Sequence, residues 1–514
     1  MPASPTAFAT LWPLPLELAA ILLITLALPA ALFAVWRVLV LGAALLLVLL
    51  KLADLGTYSA FNRPFNPLLD THLPRDGWNI LSQSLGTGLA ALAVAAALLA
   101  VLVLLIVTGY GMAQLRRWPA RARWTLAAAC VVLVAAAGVR ALPGTGPLPA
   151  VADARTSSAI VDRAERIIAS AADLSAFRRQ LGESDDTHSS GGGESRLKRL
   201  AGKNVLLVFV ESYGRTVFER PLYADVIGPR LAAFERDIRS AGFSARSGWL
   251  TSPTFGGQSW LAHGTLLSGL WVDSQPRYDA LVKSRRVSLN RRFAQAGWRT
   301  SAVMPAITRD WPEADWFGYD RIFASGDLGY AGQPFNWVTM PDQYTLAAIE
   351  RLILDQPAER PAMIETALIS SHAPWTPIPP LLDWADVGDG QVFDDYASAG
   401  DPPEVVWQDY DRVRAQYRKA IDYSLETLAS FITTQADDDL VLIILGDHQP
   451  APLVTGDNAT RDVPIHIIAH DPAVLEAIEA WQWTPGMTPD DNTPVWPMDA
   501  FYERFIEAFS APPG

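Results

Sequence analysis

Two regimes of hydrophobic patterning divide this chain. Over the first 142 residues apolar side chains run almost unbroken: residues 18–36 carry no charge, 38–53 carry only Lys51, and 86–115 and 124–139 carry none. A bilayer core takes about 20 helical residues, so these stretches are four candidate membrane spans. The first two read as a tight hairpin around Arg37. The third is long enough to cross with tilt, and the second and fourth need flanking side chains to snorkel. After residue 203 short β-branched runs alternate with longer amphipathic ones. Strands are expected at 204–210, 299–304, 366–370, 440–445 and 463–469, and helices at 229–241, 259–268, 287–297, 342–355, 408–435 and 472–481. Such alternation predicts an α/β domain with a mainly parallel sheet covered on both faces, its ligand site beyond the carboxyl ends of the strands.

Between the two regimes, residues 155–181 place Ile160, Ala164, Ile167, Ile168 and Leu174 at helical spacing, as in an amphipathic helix lying on a membrane surface or packing on the following domain. Residues 182–195 are polar and glycine-rich, a flexible linker by composition that contains His188. The expected organisation is a membrane domain over 1–142, a helix and linker over 143–203, and an exported catalytic domain over 204–514.

A signal peptide is the rival reading of the first segment, but no basic region precedes it and a second apolar segment follows at once. Arg116, Arg117, Arg121 and Arg123 crowd the short loop between the third and fourth spans. The positive-inside bias makes that loop cytoplasmic and places all that follows outside. A basic loop kept only for solubility would predict no side. Cys130, the one cysteine, falls within the fourth span, so the exported part has no disulfide. A formal charge of −13 argues against nucleic acid as a partner, because a polyanion needs a basic face.

Chemistry-bearing residues follow the expected strands. Glu211 ends Val-Phe-Val-Glu, His372 ends Ser-Ser-His, and Asp447 with His448 ends Leu-Gly-Asp-His. Any one of them alone reads equally well as a solvated loop residue; three strands ending alike at one sheet edge bring together what a metal-dependent hydrolase or transferase needs. Ser259 follows Gly256-Gly257-Gln258 and opens a helix, where free backbone N–H groups favour an anion. The plain alternative is a capping serine.

The segment from Gly256 to Leu266-Leu267-Ser268-Gly269 resembles the nucleophile region of the alkaline phosphatase superfamily, in which a Ser, Thr or modified Cys opens a helix ending in a Leu-Leu-Thr-Gly-like sequence. Arylsulfatases of that superfamily carry Pro and Arg where this chain has Leu261 and His263, which speaks against a formylglycine enzyme. Several membrane helices followed by a sulfatase-like domain are similar to the layout of lipoteichoic acid synthases and of phosphoglycerol and phosphoethanolamine transferases. Lipoteichoic acid synthases use Thr as nucleophile and usually five spans, where this chain offers Ser259 and four. The resemblance implies one divalent ion, manganese or zinc, on Glu211, Ser259, Asp447 and His448, and a substrate-facing His372. The Thr308-Arg309-Asp310-Trp311 segment resembles their substrate loop, which makes Arg309 a phosphate contact by its planar fork, or else a surface partner of Asp310 or Glu313. His263, one turn after Ser259, contacts substrate or is a satisfied structural histidine. Thr254 is a second hydroxyl in the region but fits the helix spacing poorly, and His466 sits inside an expected strand.

Together these residues imply a multi-pass protein of the cytoplasmic (inner) membrane with its catalytic domain on the extracytoplasmic, periplasmic side. The implied reaction moves a phospho-alcohol group from a membrane phospholipid to a glycan or lipid acceptor through covalent Ser259, with His372 as acid and base. A phosphodiesterase or sulfatase using water shares the first half-reaction. A non-catalytic envelope or sensor protein is the reading from a different class.

Overall fold

The computed structural model describes residues 14–140, 152–187, 197–456 and 458–510. It divides into two compact units, one of residues up to Tyr58 together with Arg63–Leu174, the other of Ser59–Asn62 and Ser175–Gly514.

The first unit is helical: α1 (Leu16–Ala27), α2 (Ala30–Phe61), α3 (Leu73–Leu85), α4 (Thr87–Arg117), α5 (Ala120–Arg140) and most of α6 (Arg155–Thr187). Three of these, α2, α4 and α5, are long and apolar enough to cross a membrane. The hairpin expected around Arg37 does not form. Helix α2 runs unbroken through it, with the guanidinium lying over the Phe33 ring one turn earlier at 5.8 Å. The chain breaks instead at Leu28, extended at φ −67° and ψ 139°, because the pyrrolidine of Pro29 disfavours helical geometry in the residue before it. Helix α1 is left with 12 residues. The turn after α2 is held by ion pairs: Arg63 to Asp70 at 2.6 Å, and Arg163 of α6 to Asp54 at 2.6 Å.

Helix α6 continues through residues 182–187, which the composition had assigned to the linker. The rest of that segment, with His188, lies outside the described residues. Phe177 and Leu181 of α6 are buried in the core of the second unit.

In the second unit a nine-stranded sheet is built from β1 (Asn204–Val210), β2 (Ser244–Thr251), β3 (Arg299–Met304), β4 (Arg321–Ala324), β5 (Ala362–Leu368), β6 (Leu440–Gly446), β7 (Asp462–Ala469), β8 (Thr484–Pro485) and β9 (Val495–Pro497). Its order is β8-β2-β7-β6-β1-β5-β3-β4, with β9 beside β2. Strands β6, β1, β5, β3 and β4 are mutually parallel, while β7 runs antiparallel to both β6 and β2. Both faces of β1 are apolar: Leu206, Val208 and Val210 join one core, and Val205, Leu207 and Phe209 the other. That is what a parallel strand covered by helices on both sides requires.

Four of the five expected strands form within a residue or two of the expected bounds, and the fifth, expected at 366–370, runs from Ala362 to Leu368 instead. Strand β2 was not expected, because Ser244, Arg246, Ser247 and Gly248 break its β-branched character; β4, β8 and β9 are too short to register. Expected helix 229–241 is the second half of α7 (Pro221–Ser240), which carries Pro229 inside it. Helix α8 (Ser259–Ser268) has the expected bounds, ending at left-handed Gly269 (φ 66°), whose N–H reaches the Thr265 carbonyl.

Gly446, the last residue of β6, has no room for a side chain: a Cβ there would lie 1.8 Å from the Tyr213 carbonyl oxygen. Gly446→Ala is expected to cost about 3 kcal/mol by overpacking, read as a lower thermal midpoint. It is also expected to weaken metal binding, because Asp447 is the next residue.

Candidate active site

Three adjacent parallel strands deliver most of the site. Glu211 directly follows β1, Asp447 and His448 follow β6 on one side of it, and His372 lies four residues beyond β5 on the other. Parallel neighbours end at the same edge, which is why residues separated by more than 200 positions meet. Ser259 reaches the edge from β2, after a turn through Gly256, Gly257 and Gln258, all at positive φ.

Ligand atoms of Glu211, Asp447 and His448 lie within 4.8 Å of one another. His448 Nε2 is 3.3 Å from Glu211 Oε1 and 3.6 Å from Asp447 Oδ2. The Ser259 hydroxyl donates to Glu211 Oε2 at 3.0 Å and lies 3.2 Å from His448 Nε2. The Gln449 carbonyl, 2.9 Å from His448 Nδ1, can only accept, so the hydrogen sits on Nδ1 and Nε2 faces the carboxylates. Asp447 Oδ1 is occupied by the backbone N–H groups of Ser212 (2.8 Å) and His448 (2.7 Å), which leaves Oδ2 turned to the cluster.

Two carboxylates and one imidazole, nearly excluded from water, form a cluster with excess negative charge. Burial disfavours the imidazolium of His448, yet Asp447 and Glu211 outweigh it and push that group up to about 9. Burial, with Glu211 beside it, lifts Asp447 to about 6. Burial works the same way on Glu211, but the imidazoles of His448 and His372 hold its carboxyl well below the usual range. In the metal-free protein one proton on His448 therefore partly balances the two acids. Oxygen and imidazole donors converging on one point, with the far nitrogen of the imidazole fixed by a carbonyl, fit a divalent cation.

His372 is half-buried. Its Nδ1 faces the Ala373 carbonyl at 2.5 Å, and its ring is stacked on Trp337 at 5.4 Å. Arg309 is exposed, in the loop after β3, and makes no ion pair with Asp310 or Glu313 among the described residues. His263 packs inward, Nδ1 2.8 Å from Glu365 Oε1. The Thr254 hydroxyl donates to the Gly257 carbonyl at 2.6 Å, pinning the loop that presents Ser259. His466 is buried between Ser247 (2.6 Å) and the Tyr213 hydroxyl (3.2 Å), and burial pushes its imidazole down to about 3.

Sequence reasoning missed Ser212, Gln258, Gln449, Trp337 and Glu365. Ser212 (φ 58°) and Gln258 (φ 66°) hold left-handed backbone without being glycine, a cost on the order of 1–3 kcal/mol each that concentrates at functional sites. Neither residue type signals that conformation in a sequence.

Fold and site together define a metal-dependent enzyme of the alkaline phosphatase superfamily type. The chain belongs to the sulfatase family, which it matches over residues 203–474, more than half its length. No curated protein matches it. Solved structures similar to it include the lipoteichoic acid synthase LtaP from Listeria monocytogenes, at 13% identity over 65% of this chain and 78% of that one, TM-score 0.38. The phosphoglycerol transferase GacH from Streptococcus pyogenes, in complex with sn-glycerol-1-phosphate, matches at 12% identity over 65% and 81%, TM-score 0.39. The lipooligosaccharide phosphoethanolamine transferase A (EptA) from Neisseria meningitidis matches at 13% identity over 95% and 87%, TM-score 0.46.

Proposed function

We propose that the protein is a membrane-anchored transferase that moves a phospho-alcohol group, phosphoglycerol or phosphoethanolamine, from a membrane phospholipid to a glycan or lipid hydroxyl. The observation that carries this reading is the Ser259 hydroxyl, within hydrogen-bond distance of both Glu211 and His448, in a chain that also has three helices fit to cross a bilayer. Anchoring keeps the site near lipid headgroups, which a hydrolase of soluble esters does not need. The arginines at the α4–α5 turn support a catalytic domain on the periplasmic side of the inner membrane. That orientation is the same whether or not short α1 crosses, because the turn precedes the last span.

In this mechanism Glu211, Asp447 and His448, with the Ser259 oxygen, would hold one divalent ion. Such a cation lowers the pKa of a nearby hydroxyl and neutralises phosphoryl charge. Ser259 Oγ, its proton released to solvent, attacks phosphorus, the bond to the diacylglycerol oxygen breaks, and the phospho-alcohol group is left on Ser259; the acceptor oxygen then attacks phosphorus and the bond to Oγ breaks. The Ala373 carbonyl fixes a hydrogen on His372 Nδ1. Nε2 is therefore the atom that gives a proton to the departing oxygen and later takes one from the acceptor hydroxyl. Arg309, with no competing carboxylate partner among the described residues, binds the phosphoryl oxygens.

Membership of the sulfatase family favours one second reading, in which water is the acceptor and the ester is a phosphodiester or sulfate. The deciding experiment gives full-length protein in liposomes labelled phosphatidylglycerol or phosphatidylethanolamine, with and without candidate glycans. Diacylglycerol release with label appearing on the acceptor is expected. Release with label only in water-soluble alcohol phosphate makes the protein a hydrolase, and no release from either lipid rejects the lipid donor.

A further inference from the structure

A second polar cluster lies beside the nucleophile helix. Glu365, in the middle of β5, has no solvent exposure and interrupts a strand whose neighbours Met363 and Ile364 are core residues. A buried carboxylate costs several kcal/mol unless its oxygens are paired, and an apolar residue of similar size is often no less stable. Here all the pairing is provided by neighbours from three elements. Oε2 accepts from Asn290 Nδ2 at 2.9 Å, in α9 (Leu289–Gln295), and from the Tyr319 hydroxyl at 2.6 Å, just before β4; Oε1 faces His263 Nδ1 at 2.8 Å. Burial, together with Glu365 itself, pushes the Tyr319 hydroxyl well above its ordinary value, so it stays a donor.

The orientation of His263 is thereby fixed twice. Its ring stacks on Phe209 at 3.7 Å and 20°, which sets the plane. The Glu365 carboxylate accepts from Nδ1, which sets the direction and leaves Nε2 as the remaining polar atom. Nε2 has no hydrogen-bond partner among the described residues, and His263 keeps 9% of its surface exposed. His263 stands four residues after Ser259 on α8, hence on the same helix face, and Phe209 stands two residues before Glu211.

We propose that Glu365 is a positioning residue for the reaction: it holds His263 so that Nε2 meets an oxygen of the tetrahedral ester group under attack by Ser259. The inference rests on the transferase reading only for the identity of that group as phosphoryl. A purely structural pair would hold α8 against β5 and nothing more.

Two measurements separate these roles. The chain has seven histidines, so full-length protein labelled with ¹⁵N-histidine in detergent gives a countable set of ring signals, with His263 assigned by His263→Gln. Glycerol phosphate is expected to move the His263 Nε2 signal in the wild type, and Glu365→Gln is expected to blunt that movement. Kinetically, Glu365→Gln is expected to raise KM about tenfold, the lower end of what partners behind a functional imidazole cost. Tyr319→Phe leaves the Oε1 contact intact and should change KM less. A Glu365→Gln protein with a lowered thermal midpoint but unchanged KM and an unchanged His263 response overturns the proposal. If that variant does not fold, the wild-type titration decides alone, and a His263 signal unmoved at saturating glycerol phosphate overturns it. Turnover of sulfate esters but not phospholipid would sink the transferase reading instead, and the same titration with sulfate would still test the pair.

Discussion

Ser259→Ala is expected to lower turnover by about ten-thousandfold or more, the scale of losing a covalent nucleophile, while divalent metal stays bound. Oγ is the only side-chain atom removed, and Glu211, Asp447 and His448 remain as three candidate ligands. The hydroxyl is half-buried at the start of α8, so deleting it opens no large cavity and the thermal midpoint should move little. Mass analysis supplies the positive counterpart: wild-type protein incubated with donor lipid and no acceptor gains the phospho-alcohol mass on the peptide containing Ser259, and the variant gains none. Turnover surviving in the variant would remove Ser259 from the mechanism. Thr254 would be a poor replacement, because its hydroxyl is spent on the Gly257 carbonyl.

The second large effect concerns the metal. Asp447→Asn is expected to weaken divalent-ion binding by more than about a hundredfold, since even partners behind metal ligands cost about 10–100-fold, and chelation should likewise remove activity. An asparagine Oδ1 can still accept from Ser212 and His448 N–H, so the loop should keep its shape and the fold its thermal midpoint. Metal uptake should also release protons. In the metal-free protein His448 is raised to about 9 and is protonated at pH 7, whereas Asp447, raised to about 6, is mostly ionised there. Binding at pH 7 is therefore expected to expel about one proton, and affinity should fall about tenfold per pH unit from 9 down to 6. Below 6 Asp447 must lose a proton too, and the fall steepens. Calorimetry in buffers of different ionisation enthalpy measures the released proton directly. Binding with no proton release would mean that His448 is not a ligand.

The pH dependence of stability runs opposite to that of metal affinity. His448 is raised above its ordinary value of 6.5, so the proton it gains on folding stabilises the metal-free protein fully below that pH. The contribution is lost as pH rises through about 9. With metal bound the proton is gone, and stability should vary less across that range.

Much of the site was legible in the sequence because its residues follow signals that are local. Glu211 and Asp447-His448 each end an apolar strand, and Ser259 opens a helix whose Leu-Leu-Ser-Gly ending fixes its length. Residues that gain their role from a distant partner left no such trace. Ser212 gives its backbone N–H to Asp447, 235 positions away, as well as its hydroxyl to the adjacent Glu211 Oε1. Glu365 looks like a polar interruption of β5 until α8, α9 and the chain before β4 close around it. Trp337 is one tryptophan among 18 until its ring is seen stacked on His372.

The amino-acid order by itself determined the apolar helical stretches, the α/β alternation and the strand ends that carry acids and imidazoles, since hydrophobic period and residue type are properties of neighbours along the chain. Strand order was decided only by tertiary structure. With β1 lying between β5 and β6, three loops far apart in sequence face one another across the spacing between neighbouring strands. The insertion of β2 next to β7 and the inward turn of His263 toward Glu365 belong to the same class. Each depends on which surfaces become buried against which, and that is fixed only when the whole chain packs.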